Sequence, residues 1–189
     1  HQLGKAPEFM IAKARNYVQN WFMFHKTVGA GGGFNFNVNT AAYTTDTGYW
    51  NGVEPDSNVV TLGNYHGAAG THDFVLYAWT SVEGYSSFGT YEGSNTNLPF
   101  IYTGFSPRWI LIANMDNASD FVVYDTARDA NNQSSSVLAA NSANGEGSYI
   151  SGYELDILSN GFKIRTSTSG AINQNLHTHV YAAFASHPF

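Results

Sequence analysis

The segment Leu3-Gly4-Lys5-Ala6-Pro7-Glu8-Phe9-Met10-Ile11 is matched, 100 residues further on, by Thr103-Gly104-Phe105-Ser106-Pro107-Arg108-Trp109-Ile110-Leu111. The same interval of 100 links Trp21 to Phe121, Phe24 to Tyr124 and His25 to Asp125. It drifts to 102 between Ser57-Asn58 and Ser159-Asn160, and to 105 between Tyr77-Ala78-Trp79 and Ala182-Ala183-Phe184. Constant spacing inside apolar runs, with drift between them, is the mark of a repeat whose loops have changed length, because loops tolerate insertion cheaply. The expectation is two tandem related halves, one over 1–82 and one over 100–189, with the Gly-, Ser- and Asn-rich stretch 83–99 as connector. A half of this size makes a thin sandwich with exposed edges. A single module over 1–189 with one shared core is therefore expected, and two separate sandwiches are the other arrangement. In the shared core Trp21, Phe121, Trp79 and Phe184 are expected to be largely buried at related positions.

Short apolar runs with strand character recur along both halves. Glu8–Ala12, Asn20–Phe24, Phe34–Val38, Asn58–Leu62 and Asp73–Trp79 lie in the first. Arg108–Ile112, Phe121–Tyr124, Gly161–Arg165 and Val180–Phe184 lie in the second. Gly, Asn, Asp or Pro separates them, and no amphipathic helical period of any length appears. Strands about ten residues apart with turn residues between them predict an all-β fold, a jelly-roll or concanavalin-like β-sandwich.

Charge narrows the function classes. Only 12% of residues are charged and the net charge is −6, with 8 Lys and Arg scattered singly. A nucleic-acid partner needs a basic patch, which this chain lacks. No apolar run approaches the length of a membrane span, so membrane insertion is not expected, and no secretory signal opens the chain. The absence of cysteine removes disulfides, thiolate metal sites and cysteine nucleophiles.

Three features could carry chemistry. Tyr153-Glu154-Leu155-Asp156-Ile157-Leu158-Ser159 resembles the Glu-x-Asp-x-x-Glu motif of jelly-roll endoglucanases, but its last position is serine, which cannot protonate a glycosidic oxygen. His1, together with His177 or His179, suggests a histidine copper brace, yet His1 falls inside the repeat opposite Ile101. His177 and His179 are expected on one side of a strand, without a function. Gly29-Ala30-Gly31-Gly32-Gly33 lacks the Gly-Lys-Ser/Thr ending of a phosphate loop and precedes a strand. No catalytic residue, metal site or cofactor is expected.

Aromatic residues in Gly-, Asn- and Thr-rich loops remain. Tyr43, Tyr49, Trp50, Tyr65, Tyr85, Tyr91, Tyr149 and Tyr153 offer large contact area with a polar tip, the chemistry of glycan and protein recognition. Tyr49, Trp50, Tyr65, Tyr149 and Tyr153 are the candidate binding residues, expected on the surface.

A set of motifs runs through nearly the whole chain. It comprises Gly4-x-x-Pro7-Glu8-Phe9-x-Ile11, Asn20-Trp21-x-x-x-His25, Trp50-Asn51 and Val82-Glu83-Gly84-Tyr85-Ser86-Ser87-Phe88-Gly89. It continues with Tyr102-Thr103-Gly104-Phe105-x-Pro107-x-Trp109 and Tyr124-Asp125-Thr126-Ala127-Arg128-Asp129. Leu158-Ser159-Asn160-Gly161-Phe162-Lys163-Ile164-Arg165 and Tyr181-Ala182-Ala183-Phe184-Ala185 complete it. This set resembles a repeat domain at the carboxyl-terminal ends of tail-fibre and other virion proteins of bacteriophages. The resemblance implies a lectin-like β-sandwich, a place in the virion outside the cell, and a structural or host-recognition role without catalysis. Its implied partners are a host cell-surface glycan or another virion protein, with trimerisation through the parent protein. The alternative function is a secreted carbohydrate-binding or degenerate glycoside-hydrolase-like jelly-roll protein.

Overall fold

Along β1 (Phe9–Ala14) the fully buried Met10 and Ala12 alternate with the half-buried Ile11 and Lys13, the two-residue period of an extended strand. β1 pairs antiparallel with β2 (Phe22–His25) on one side and with β4 (Phe74–Trp79) on the other. β3 (Phe34–Asn35) extends the sheet beyond β2, giving the order β3-β2-β1-β4. The computed structural model describes residues 1–67, 72–145, 151–167 and 169–187. Among these residues the chain is all-β, with twelve strands, several antiparallel sheets and one 3-10 turn at Asn64–His66. It divides into two compact units, His1–Thr80 and Ser81–Phe189.

Register gathers one buried apolar cluster on a single face of the first unit's sheet. Met10 lies opposite Phe24 and Ala78, and Ala12 opposite Phe22 and Leu76. Met10, Ala12, Phe22 and Phe24 form one buried cluster with Ala30, Tyr49 and Trp50, against which Phe74, Leu76 and Ala78 pack. The last three buried members come from the chain between β2 and β4, not from a facing sheet. Tyr49 and Trp50 are each 1% exposed. The expectation that they stand on the surface is therefore corrected: a sheet face must be covered, and here two large aromatic side chains cover it.

The second unit has two sheets. β5 (Ser86–Glu92), β12 (Thr178–Phe184), β7 (Trp109–Asn114), β8 (Val122–Asp125) and β9 (Leu138–Ala139) form one, in that order. β10 (Leu155–Leu158), β11 (Gly161–Ile164) and β6 (Phe100–Tyr102) form the other. Ile110, Ile112, Val122, Tyr124, Tyr181 and Ala183 of the larger sheet share one core with Ile101, Leu155, Phe162 and Ile164 of the smaller. Residues of the two sheets thus face one another across one core, the packing of a β-sandwich.

The ladders β3-β2-β1-β4 and β9-β8-β7-β12 have the same order and register. Phe9 pairs with His25 and Trp79, and Trp109 with Asp125 and Phe184. The entry into β2 and β8 is anchored alike: Trp21 N–H donates to Asn37 Oδ1 at 2.8 Å, and Phe121 N–H to Asn141 Oδ1 at 2.9 Å.

Three sequence expectations differ from the structure. The stretch 83–99 is not a bare connector, because it contains β5, paired with β12 along its whole length. Trp21 is 38% exposed although Phe121 is 1% exposed, and Trp79 and Phe184 are half-buried. Asn58–Leu62 is not a strand: the Asp56 carboxylate accepts the N–H groups of Asn58 and Val59, each at 2.7 Å, and turns the chain there.

Candidate functional site

Two close backbone approaches shape the first unit's open side. A side chain at Gly32 would place its Cβ 1.7 Å from the Tyr43 carbonyl oxygen, and one at Gly33 would place it 2.7 Å from the Tyr49 ring. The glycine run before β3 therefore serves packing: Gly33 exchanges two 2.8 Å backbone hydrogen bonds with Tyr43, and Tyr49 lies against it. Tyr65, on the 3-10 turn, folds over Gly48, where a Cβ would come within 2.6 Å of its ring.

These approaches bring three tyrosines together. The Tyr43 and Tyr49 ring centroids are 5.7 Å apart, and those of Tyr49 and Tyr65 are 5.2 Å apart with the planes at 88°. Tyr49 is the buried floor, whereas Tyr43 and Tyr65 are 40% and 39% exposed and form walls. Gln19, Asn20, Phe22, Asn35 and Asp46 complete a pocket of about 260 Å³.

Hydrogen bonds fix its geometry. Tyr65 Oη donates to Asp46 Oδ2 at 2.7 Å, and Gly48 N–H donates to Asp46 Oδ1 at 3.0 Å. The Tyr65 carbonyl accepts from Tyr17 Oη and Gln19 Nε2, both at 3.2 Å. Tyr49 Oη donates to Asn35 Oδ1 at 3.1 Å, and Asn37 Nδ2 to Asn20 Oδ1 at 3.2 Å. Burial pushes the Tyr49 phenol well up, and the bond to Asp46 raises that of Tyr65, so both hold their protons at neutral pH.

Among the sequence candidates, Tyr49 and Tyr65 meet here and Trp50 lies in the core below. The Trp50 ring is 5.7 Å from Phe24 and 5.3 Å from His66. Tyr153 belongs to the second unit, half-buried against its core, with its carbonyl accepting Tyr124 Oη at 2.7 Å. Tyr149 lies outside the described residues. Sequence reasoning named Tyr43 only among the loop aromatics and missed Gln19, Asn20, Asn35 and Asp46. Asp46 had a signal, since Asp46-Thr47-Gly48 has the form of an Asx turn.

The features with catalytic or metal-binding form are occupied otherwise. Both Glu154 oxygens accept the Gly152 N–H, at 3.2 and 3.1 Å, and Asp156 pairs with Arg165 at 3.4 Å. His177 and His179 do not share a strand face: His177 precedes β12 and bonds Asn114 Oδ1 at 3.3 Å. His179 is fully buried and stacked on Tyr91 at 5.1 Å. The His1 amine donates to the Asn58 carbonyl at 3.1 Å. Among the described residues no group of three or more His, Cys, Asp or Glu side chains converges as metal ligands.

Fold and site together define an all-β protein whose first unit carries an open pocket of phenols, amides and one carboxylate. The chain belongs to the family described as "Domain of unknown function (DUF7483)", whose model matches residues 1–188. No curated protein matches the chain. No solved structure matches it.

Proposed function

We propose that this chain is a non-catalytic recognition module of a bacteriophage virion, of the tail-fibre or surface-decoration type, that binds a host-surface glycan. The pocket of Tyr43, Tyr49, Tyr65, Asp46, Asn20 and Asn35 carries this reading. Exposed phenol rings offer a flat face to the C–H surface of a sugar, and amides and a carboxylate meet its hydroxyls. Non-catalysis is supported by Glu154 and Asp156, whose carboxylates are engaged by Gly152 and Arg165. The matching ladders support an origin by duplication of one unit. The virion setting rests on the motif set from Gly4 to Ala185.

A glycan microarray probed with the purified chain tests the binding claim. The expected result is a restricted set of bound glycans, lost in Tyr43→Ala and Tyr65→Ala variants that remain folded. No bound glycan would end this reading. Detection of the polypeptide in purified virions tests the setting, and its recovery as a secreted cellular protein favours the carbohydrate-binding alternative. Release of reducing sugar from laminarin, agarose or alginate, abolished by Glu154→Gln, would make the protein an enzyme.

A further inference from the structure

We infer that the pocket takes a single uncharged pyranose unit of its glycan, and that each chain holds one such site. This rests on the glycan reading and narrows it to a class of sugar. Size limits the occupant first. At about 260 Å³ the pocket falls below the roughly 300–1,000 Å³ of sites that enclose drug-sized ligands, so it seats one ring, and any further sugar of the glycan lies outside it.

Charge then selects among rings. The pocket is lined by Gln19, Asn20, Phe22, Asn35, Tyr43, Asp46, Tyr49 and Tyr65, among which Asp46 is the one formal charge. A site for uronate, sialate or sulfate is favoured by a guanidinium or ammonium, which replaces the water lost from the anion. Lys13, close in sequence, donates to the Gln19 carbonyl at 2.6 Å and sits 5.9 Å from the Trp21 ring centroid, outside the lining. Asp46 opposes any anion that enters, and with one bond already accepted on each oxygen it retains lone pairs for sugar hydroxyls. Asn20 and Asn35 accept through their carbonyl oxygens, and their Nδ2 groups, like Tyr43 Oη, have no protein partner among the described residues. Two neutral amide donors, a phenol and a carboxylate acceptor form the complement of a polyhydroxyl ring without charge.

The second unit does not repeat this pocket at the matching place in its ladder. Its equivalent ladder places Ala139 opposite Val122, where the first unit has Asn35 opposite Phe22. Asp120 stands where the first unit has Asn20, with Asn141 Nδ2 bonded to it at 3.2 Å as Asn37 Nδ2 is to Asn20. The counterpart scaffold therefore lacks both free amides.

Isothermal titration with the methyl glycoside of the best microarray sugar, and with its 6-carboxylate analogue, tests the inference. We expect a stoichiometry near one per chain, and at least about tenfold weaker binding of the carboxylate, equivalent to about 1.4 kcal/mol. Raising the salt from 50 to 500 mM should leave the neutral affinity unchanged, since no ion pair forms. Asp46→Asn should weaken the neutral sugar and narrow the ratio between the two ligands. Equal or tighter binding of the carboxylate, a steep loss with salt, or two sites per chain would each overturn this inference while leaving glycan binding intact. Binding of no sugar would overturn the glycan reading instead. If Asp46→Asn does not fold, the ligand pair and the salt series on the wild-type chain still decide.

Discussion

His66 and His179 are each buried against aromatic rings, His179 stacked on Tyr91. His66 lies among Phe22, Trp50 and Phe74 at 5.0, 5.3 and 4.9 Å. Burial pushes each imidazole from 6.5 down to about 4, partly offset by a backbone hydrogen bond, to Gly63 for His66 and to His177 for His179. The unfolded chain therefore binds protons that the folded chain refuses between pH 6.5 and about 4. The stability these neutral rings permit is fully present above 6.5 and falls as the pH drops toward 4, by about 3 kcal/mol per histidine. Urea titrations at pH 7.5 and 4.5 should show this loss in the wild type. His179→Phe, which copies the phenylalanine at the matching position 74, should remove the second unit's share of it. An undiminished acid sensitivity in that variant would place the titration elsewhere. Neither role was legible from sequence, because a histidine next to aromatics reads the same whether the rings enclose it or stand beside it.

Elements were legible where side chains alternate or cluster and obscure where pairing alone defines them. β1, β2, β4, β7, β8, β11 and β12 all overlap apolar runs evident in the sequence, with ends that differ by up to two residues. β5 does not: Ser86-Ser87-Phe88-Gly89-Thr90-Tyr91-Glu92 has a linker's composition, and it is a strand because β12 offers it a partner. Val59-Val60-Thr61-Leu62 has a strand's composition but no partner, so it is not one. β6 and β11 meet at a point that composition could not have flagged. A Cβ on Gly161 would lie 2.0 Å from the Ile101 carbonyl oxygen. Gly161→Ala should therefore push β6 off β11 and cost about 1–3 kcal/mol, measured by denaturant unfolding. A change below 0.5 kcal/mol would show that the ladder can shift without loss. The pocket was half-legible for the same reason. Tyr49 and Tyr65 stood out as loop aromatics, whereas Asn20 and Asn35 join them only through the β2–β3 register.

Two compact units, each with a hydrophobic cluster, lead to a prediction for the whole chain. Trp50 belongs to the first unit's cluster and Phe162 to the second's, and truncating either to alanine should cost about 3–5 kcal/mol. By hydrogen exchange, Trp50→Ala should lower amide protection in 1–80 first, and Phe162→Ala in 81–189 first. Equal loss throughout in both variants would mean that the chain unfolds as a single body. The arrangement around Trp50 has a further consequence for how such a chain can change its ligand. Tyr49, the floor of the proposed recognition pocket, and Trp50 in the core beneath it also seal the sheet, so selection for a new target cannot touch either without risking the fold. On the proposed glycan reading, the rim residues Tyr43, Asp46 and Tyr65 and the Asn20 amide are where related sequences that bind different ligands should diverge, and where a retargeting library should be randomised.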